Sequence, residues 1–246
     1  VILFPFVGLI ANLSEKLMPE KPEKAVAKMT QYIDEKQYAV PSVAITEAGR
    51  ELIRMGEITC EMIELSCQAL IDQDEAKAEK VLYLEDDVVD RITDELEQFV
   101  NRLMRSDLSH KQQSRCFQIK NLLVDIERVG DMTEDIAQFA QDRAITDIPF
   151  SDEATREFEQ LWRYVYSTYA QSLQAFEDKD RELAEKVVEE ESEFDSMYLK
   201  ARQRHITRLE MGTCNPNADV IFTETLRLLE RISDHADNIG ISVMSN

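Results

Sequence analysis

The chain is poor in the residues that punctuate sheets and loops. It has 6 Gly and 6 Pro in 246 residues. That scarcity argues against an all-β fold or a dinucleotide-binding α/β fold, whose tight turns need glycine. Basic residues are also short: 28 Lys+Arg face 49 Asp+Glu, a net charge of −21 at pH 7. Phosphate-backbone binding requires a basic face, so nucleic acid is excluded as the main partner. Histidine is nearly absent, with His110, His205 and His235 far apart. Phosphate-binding P-loops, nucleophile elbows and zinc-protease HExxH motifs are all missing, and no catalytic constellation is found, so no enzymatic activity is expected. Four cysteines, Cys60, Cys67, Cys116 and Cys214, form no CxxC. Cys60 and Cys67 are about 10 Å apart along one helix, too far for a disulfide. Unpaired buried thiols in a reducing compartment are expected.

What is present is long-range helical periodicity. Ile53, Ile58, Met62, Leu65 and Ala69 keep helical spacing, as do Val89, Ile92, Leu96, Phe99 and Leu103, and again Ile119, Leu122, Leu123, Ile126 and Val129. Breaks fall near Asp72–Asp74, Ser106–His110, Ile145–Asp152, Asp178–Asp180 and Gly212–Pro216, with Ser151 or Asp152 as a helix N-cap. No strand signal stands out.

The chain is written twice. ALIDQDEAKAEKV from Ala69 matches AFEDKDRELAEKV from Ala175, an offset of 106, and DIERVGDMTEDIA from Asp125 matches LLERISDHADNIG from Leu228, an offset of 103. The fold class expected is all-α: two tandem three-helix bundles of long antiparallel helices, residues 46–146 and 149–246.

The lead-in differs. The chain opens on Val1 rather than Met, which suggests a segment of a longer protein. The apolar run Val1–Leu13 is too short to span a bilayer, and Lys16, Lys21, Lys24 and Lys28 follow it. Residues 1–18 are read as the end of a transmembrane helix leaving on the cytoplasmic side, and 19–45 as a linker. A short buried helix is the competing reading.

Glu127, Asp131 and Asp135 stand at i, i+4 and i+8, so three carboxylates share one helix face. Like charges at this spacing cost a few tenths of a kcal/mol per pair, and a hard cation would offset that. The second half repeats the stripe as Glu230, Asp234 and Asn238. On the preceding helices Asp86 pairs with Asp90, and Glu191 with Asp195. Four carboxylates meeting between two helices of each half is how bundle metal sites are built. The candidate ligands are Asp86, Asp90, Glu127, Asp131 and Asp135, then Glu191, Asp195, Glu230 and Asp234. The middle-helix register is open by one residue, an offset of 105 rather than 106, which makes Glu85 and Asp87 competitors for Asp86. All-carboxylate ligation suits Mg, Ca, Mn or iron, divalent or ferric, rather than zinc. The rival explanation is a solvated acidic face with Arg128 and Arg231 pairing locally. His235 is a peripheral ligand or a hydrogen-bonding partner. Trp162, Tyr164, Tyr166 and Tyr169 are expected to pack against the other half.

The segments DIERVGDMTEDIA and LLERISDHADNIG resemble the signature that occurs twice in proteins of the PhoU family, once per bundle. FPFVGLIANLSEKLMP followed by PSVAITEAGRELIRMGEI resembles the junction in bacterial type II sodium/phosphate cotransporters, where a cytoplasmic PhoU-like domain follows the membrane helices. The resemblance implies paired acid-x-x-x-Asp motifs that hold multinuclear metal clusters. Those motifs fall at Asp86, Asp90, Glu127 and Asp131, and at Glu191, Asp195, Glu230 and Asp234. Met132, Asp135 and Ser233 depart from the His, Asn and Gly usual in the signature. The implied role is phosphate-dependent regulation at the cytoplasmic face of the bacterial inner membrane. The implied partners are the transporter portion of the same chain, a phosphate transport system and, optionally, a second copy in a homodimer. The alternative is a free-standing regulator docking on a phosphate ABC transporter and its sensor kinase.

Overall fold

The computed structural model describes residues 28–215 and 218–245. The expected membrane-exit segment, residues 1–18, lies outside the described residues. Among the described residues there is no strand, and no helix is long and apolar enough to cross a membrane.

Six helical rods make the fold. In the first half these are α1 (Pro41–Asp72), a second rod built of α2 (Glu75–Leu84) and α3 (Asp90–Leu103), and α4 (His110–Thr146). In the second half they are α5 (Asp152–Asp178), α6 (Arg181–Glu210) and α7 (Asp219–Met244). The ends are set by local chemistry. Pro41 opens α1 at the position where its missing N–H costs nothing. Ser109 and Gln112 form a reciprocal capping box on α4. Ser151 caps α5 by accepting from the Ala154 N–H. The first-to-second-rod turn uses the same device in both halves. Gln73 and Lys179 adopt left-handed backbone (φ 55° and 57°), and Asp74 and Asp180 then cap the next helix. The Asp74 and Asp180 N–H groups reach back to the Ala69 and Ala175 carbonyls, satisfying orphan acceptors.

The middle rod of the first half has no mate in this respect: its two segments join through a π-helical turn, Glu85–Val89, closed by the Asp90 N–H donating to the Glu85 carbonyl. A π turn absorbs one extra residue without rotating either flank out of the core. Before it the repeat offset is 106 (Val81 with Val187); after it the offset is 105 (Val89 with Phe194, Leu96 with Ala201), and all of these side chains are buried. The register ambiguity of the sequence is thus a physical insertion.

The two bundles share one continuous apolar core, with α1 packed on α5 and α4 on α7. Tyr169, fully buried, exchanges a 2.8 Å hydrogen bond with Thr59 across this junction. Leu173 lies where a Cβ on Gly56 would stand, 2.6 Å from its Cδ2. The Gln118 side chain donates to Ser242. His235 and Asn238 both meet the Asp125 carboxylate, at 2.8 and 3.0 Å. The four cysteines are free and buried, and burial pushes the Cys60 thiol up to about 12.

Of the expected linker, residues 19–27 lie outside the described residues and 28–45 within them. The first helix begins at Pro41, and the described residues before it form a strap lying on bundle one. Glu51, fully buried on α1, accepts the Gln31 and Tyr32 N–H groups at 2.8 and 2.7 Å. Glu95 on α3 accepts from the Met29 and Thr30 N–H groups and from the Thr30 hydroxyl. Arg54 donates to the Met29 carbonyl, and Tyr38 stacks on Phe99. Unpaired amides are costly, so two carboxylates that take four in a row give an extended segment a fixed seat.

Lys179 is exposed and strained by its positive φ. Lys179→Gly is expected to raise stability by about 0.5–1 kcal/mol, read as a higher midpoint in urea unfolding. An unchanged or lower midpoint would show that the left-handed position carries no strain.

Candidate functional site

The two acidic stripes run along α4 and α7, the helices through which the bundles meet, and each faces the middle rod of its own half. In the first half the focus is Glu85. Its side chain is 2% exposed, and neither carboxylate oxygen has a hydrogen-bond partner among the described residues. The room for it is made by Gly130: a Cβ there would stand 2.4 Å from Glu85 Oε2. Burial, and then the negative fields of Asp131, Asp90, Glu134 and Glu127, push the Glu85 carboxyl up to about 8. Burial followed by acidic neighbours likewise raises Asp90, Glu127, Asp131 and Glu134.

In the second half Glu191, Glu230, Asp234 and Asp237 are raised by burial and then by one another and by Asp195. Here Ser233 occupies the place of Gly130, and Glu191, the mate of Glu85, stays half-buried. The Ser233 hydroxyl and Asp237 Oδ1 are buried without hydrogen-bond partners among the described residues. The two clusters are close enough that Arg231 of bundle two acts on Asp131 of bundle one.

Of the nine residues marked by spacing, the structure gathers Asp90, Glu127 and Asp131 in one cluster and Glu191, Asp195, Glu230 and Asp234 in the other. Asp86 and Asp135 stand at the margin of the first cluster and are exposed, as are Asp90, Asp131, Asp195 and Asp234. The inward position that the pattern gave to Asp86 belongs to Glu85, because the π turn shifts the phase of the rod by one residue. Apart from Glu85, these carboxylates line a partly open groove between helices rather than the core. Glu134 and Asp237 were missed. Their signal was available, since they are repeat mates at offset 103 and stand three residues after Asp131 and Asp234. Among the described residues no three His, Cys, Asp or Glu side chains converge closely enough to hold a metal ion. The donor chemistry of both clusters is all-carboxylate, the hard-oxygen set that suits Mg, Ca, Mn or iron. The unpartnered Glu85 carboxylate is the feature that fits a cation. His235 is held by Asp125 of the other bundle, not by an acidic cluster.

A twofold-repeated helical protein, with a carboxylate cluster between the second and third rods of each repeat, is the class these observations define. The PhoU domain model matches residues 52–140 and 158–243, one match per half, so the chain belongs to the PhoU domain family. It is 25% identical over 194 residues to the phosphate-specific transport system accessory protein PhoU homolog of Xylella fastidiosa, covering 79% of this chain and 80% of that one. It is 21% identical over 248 residues to YjbB of Salmonella typhimurium, a candidate inorganic phosphate export protein. That match covers 98% of this chain and 45% of YjbB, so the chain spans less than half of that relative. The crystal structure of PhoU from Pseudomonas aeruginosa shares the fold, with a TM-score of 0.76 at 24% identity over 82% of this chain and 96% of that one.

A carboxyl whose folded pKa exceeds its unfolded value supports the fold while protonated and loses that contribution as pH rises. For Glu85 the window runs from its ordinary 4.5 to about 8. In chelator-treated protein, Glu85→Gln is expected to be more stable than the parent at pH 9, on the order of 3 kcal/mol. The difference should vanish near pH 4. Parallel stability profiles from pH 4 to 9, measured by denaturant unfolding, would contradict the burial of an uncompensated acid.

Proposed function

We propose that this chain is a PhoU-type regulatory unit of phosphate transport. The observation that carries this reading is the doubled family match, one per bundle, together with relatives of similar length named for phosphate-specific transport accessory proteins. The free-standing form, docking on a separate transport system at the cytoplasmic face of the membrane, is the version those relatives favour. A second reading has its own support. The matches to YjbB run over 98–99% of this chain, lead-in included. In that reading the unit is attached to a membrane phosphate transporter, as in the sodium-dependent cotransporters, and the strap at residues 28–40 is the connection.

The regulatory step is assigned to the acidic clusters. A hard cation that drew Glu85, Asp90, Glu127 and Asp131 closer together, with Asp86, Glu134 and Asp135 at the rim, would remove the repulsion that crowds the first groove. Glu191, Asp195, Glu230 and Asp234, with Asp237, would be drawn together in the same way in the second. Both clusters flank the α4–α7 junction, so neutralising them changes how the bundles pack. A ligand shifts such an equilibrium by its differential affinity for the two packings.

Two outcomes test this. Deleting residues 46–246 is expected to abolish the dependence of cellular phosphate uptake on external phosphate while transport persists; an unaltered dependence would overturn the regulatory role. In the purified protein, Mn²⁺ at about a hundred times its dissociation constant is expected to stabilise by about 2.7 kcal/mol. That gain should be lost with chelator and strongly reduced in Asp131→Asn/Asp234→Asn. Thermal unfolding indifferent to Mn²⁺, Mg²⁺, Ca²⁺ and Fe²⁺ alike would remove the cation step and leave the regulatory role to be judged by uptake.

A further inference from the structure

Three of the four thiols stand inside helices: Cys60 and Cys67 on α1, Cys116 on α4. Burial raises all three, and no cation opposes it. Cys214 is placed differently. It lies in the segment joining α6 to α7, 8% exposed, with its Sγ 4.0 Å from His205 Nδ1. His205 Nε2 meets Asp219 Oδ1 at 2.8 Å, and Asp219 is also held by the Thr223 hydroxyl. An ionised carboxylate only accepts, so Nε2 carries the ring hydrogen and the neutral imidazole keeps its lone pair on Nδ1, the atom that faces the thiol.

A buried guanidinium joins this group. Arg208 is 4% exposed and donates through Nη2 to Glu157 at 2.9 Å. Its Nε and Nη1 have no hydrogen-bond partner among the described residues, with Nη1 4.0 Å from Glu153. The guanidinium and the His205 ring share one wall, at 5.5 and 4.6 Å from the centre of the Phe222 ring. The Arg208 charge reaches the thiol: burial raises Cys214, Arg208 opposes the rise and Asp219 adds to it. Bundle one shows that the fold does not require these groups. At offsets 105 and 103, His205, Arg208 and Asp219 correspond to Val100, Leu103 and Cys116, all buried. Bundle two therefore keeps a base, a cation and an acid where apolar packing closes the other half, and buried polar groups are costly to keep.

We propose that Cys214 is a site of reversible oxidation by hydroperoxides, with His205 as its base, Asp219 positioning the imidazole, and Arg208 supplying N–H groups to the departing oxygen. The thiol proton passes to His205 Nδ1 as the sulfur attacks the terminal peroxide oxygen. The S–O bond forms, the O–O bond breaks, and its electron pair leaves with the second oxygen. That oxygen takes the proton from the imidazolium and departs as water or an alcohol. Sulfur is oxidised to the sulfenic acid and the peroxide is reduced. The unpartnered Arg208 nitrogens are the donors that meet negative charge developing on the leaving oxygen. A raised thiol is no obstacle, because the base acts during attack and a more basic thiolate is the stronger nucleophile.

The chain carries its own control in Cys60, which is 9% exposed but has Glu57 beside it and no cation. The test treats the reduced full chain with hydrogen peroxide at about pH 7, with dimedone present to trap sulfenic acid, and reads each cysteine peptide by mass. Cys214 is expected to be labelled about tenfold faster than Cys60 or more. Asp219→Ala should slow Cys214 by about tenfold, and the gap should narrow towards about pH 9, where hydroxide takes the proton without the imidazole. Lost structure acts in the opposite direction, since unfolding exposes every thiol and speeds Cys60 as well. Should the variant unfold in this way, the comparison of Cys214 with Cys60 in the parent decides alone. Cys214 labelled no faster than Cys60 overturns the proposal. So does a folded Asp219→Ala variant labelled at the parent rate at every pH.

Discussion

A carboxylate without a partner in the interior of an already acidic protein is the constraint on which this architecture turns. Charging Glu85 in place requires something to stand against it: a proton, a cation, or the displacement of its neighbours. Neither oxygen has a hydrogen-bond partner among the described residues, and the charges that act on it are four more acids. Gly130 gives the side chain its room, and the π turn gives it its direction. Two local irregularities, each costly in an ordinary helix, thus serve one buried charge. Strain kept at such a place is better explained by use than by stability.

Much of this was legible in the amino-acid order. Helix breaks, the free buried thiols and the doubled unit follow from turn chemistry, cysteine spacing and self-similarity, and they agree with the structure. Tyr169 reaches the other half as its helix position suggested, although Tyr164 bonds within its own half, to Glu190 and Glu193. What pattern could not resolve was phase. A period of 3.6 residues assigns Asp86 and Asp90 to one face, but an inserted residue accommodated as a π turn leaves no periodic trace. Only the slip in repeat offset from 106 to 105 recorded it. The strap was hidden for a different reason: backbone amides captured by Glu51 and Glu95 are a tertiary event, and no property of residues 28–40 by themselves announces it.

The junction between bundles shows how duplication was edited. Asp125, His235 and Asn238 form a hydrogen-bonded set on one side of the repeat axis. Their repeat mates are Leu228, Met132 and Asp135. The first two are buried apolar side chains and the third is an exposed acid. One side of the contact is therefore adaptable apolar packing, and the other is a directional polar clasp whose geometry fails if the helices slide. The acidic stripes flank the same two helices, so any change in their charge acts at the joint itself.

Divergence between the halves also divides the labour. The first bundle keeps the buried, unpartnered Glu85, the glycine that admits it and the seat for the lead-in. The second replaces that glycine by Ser233 and answers the buried Glu157 with its own arginines, Arg204 and Arg208. A symmetric pair of sites would respond together. Here the two grooves differ in depth, in spacing between their first two acids (five residues against four) and in the residue opposite them. A cation that must shed its water to reach Glu85 would meet a different balance of desolvation and charge than one resting among the half-buried and exposed acids of the second groove. Under the proposed cation step, such unequal sites would fill in sequence rather than at once.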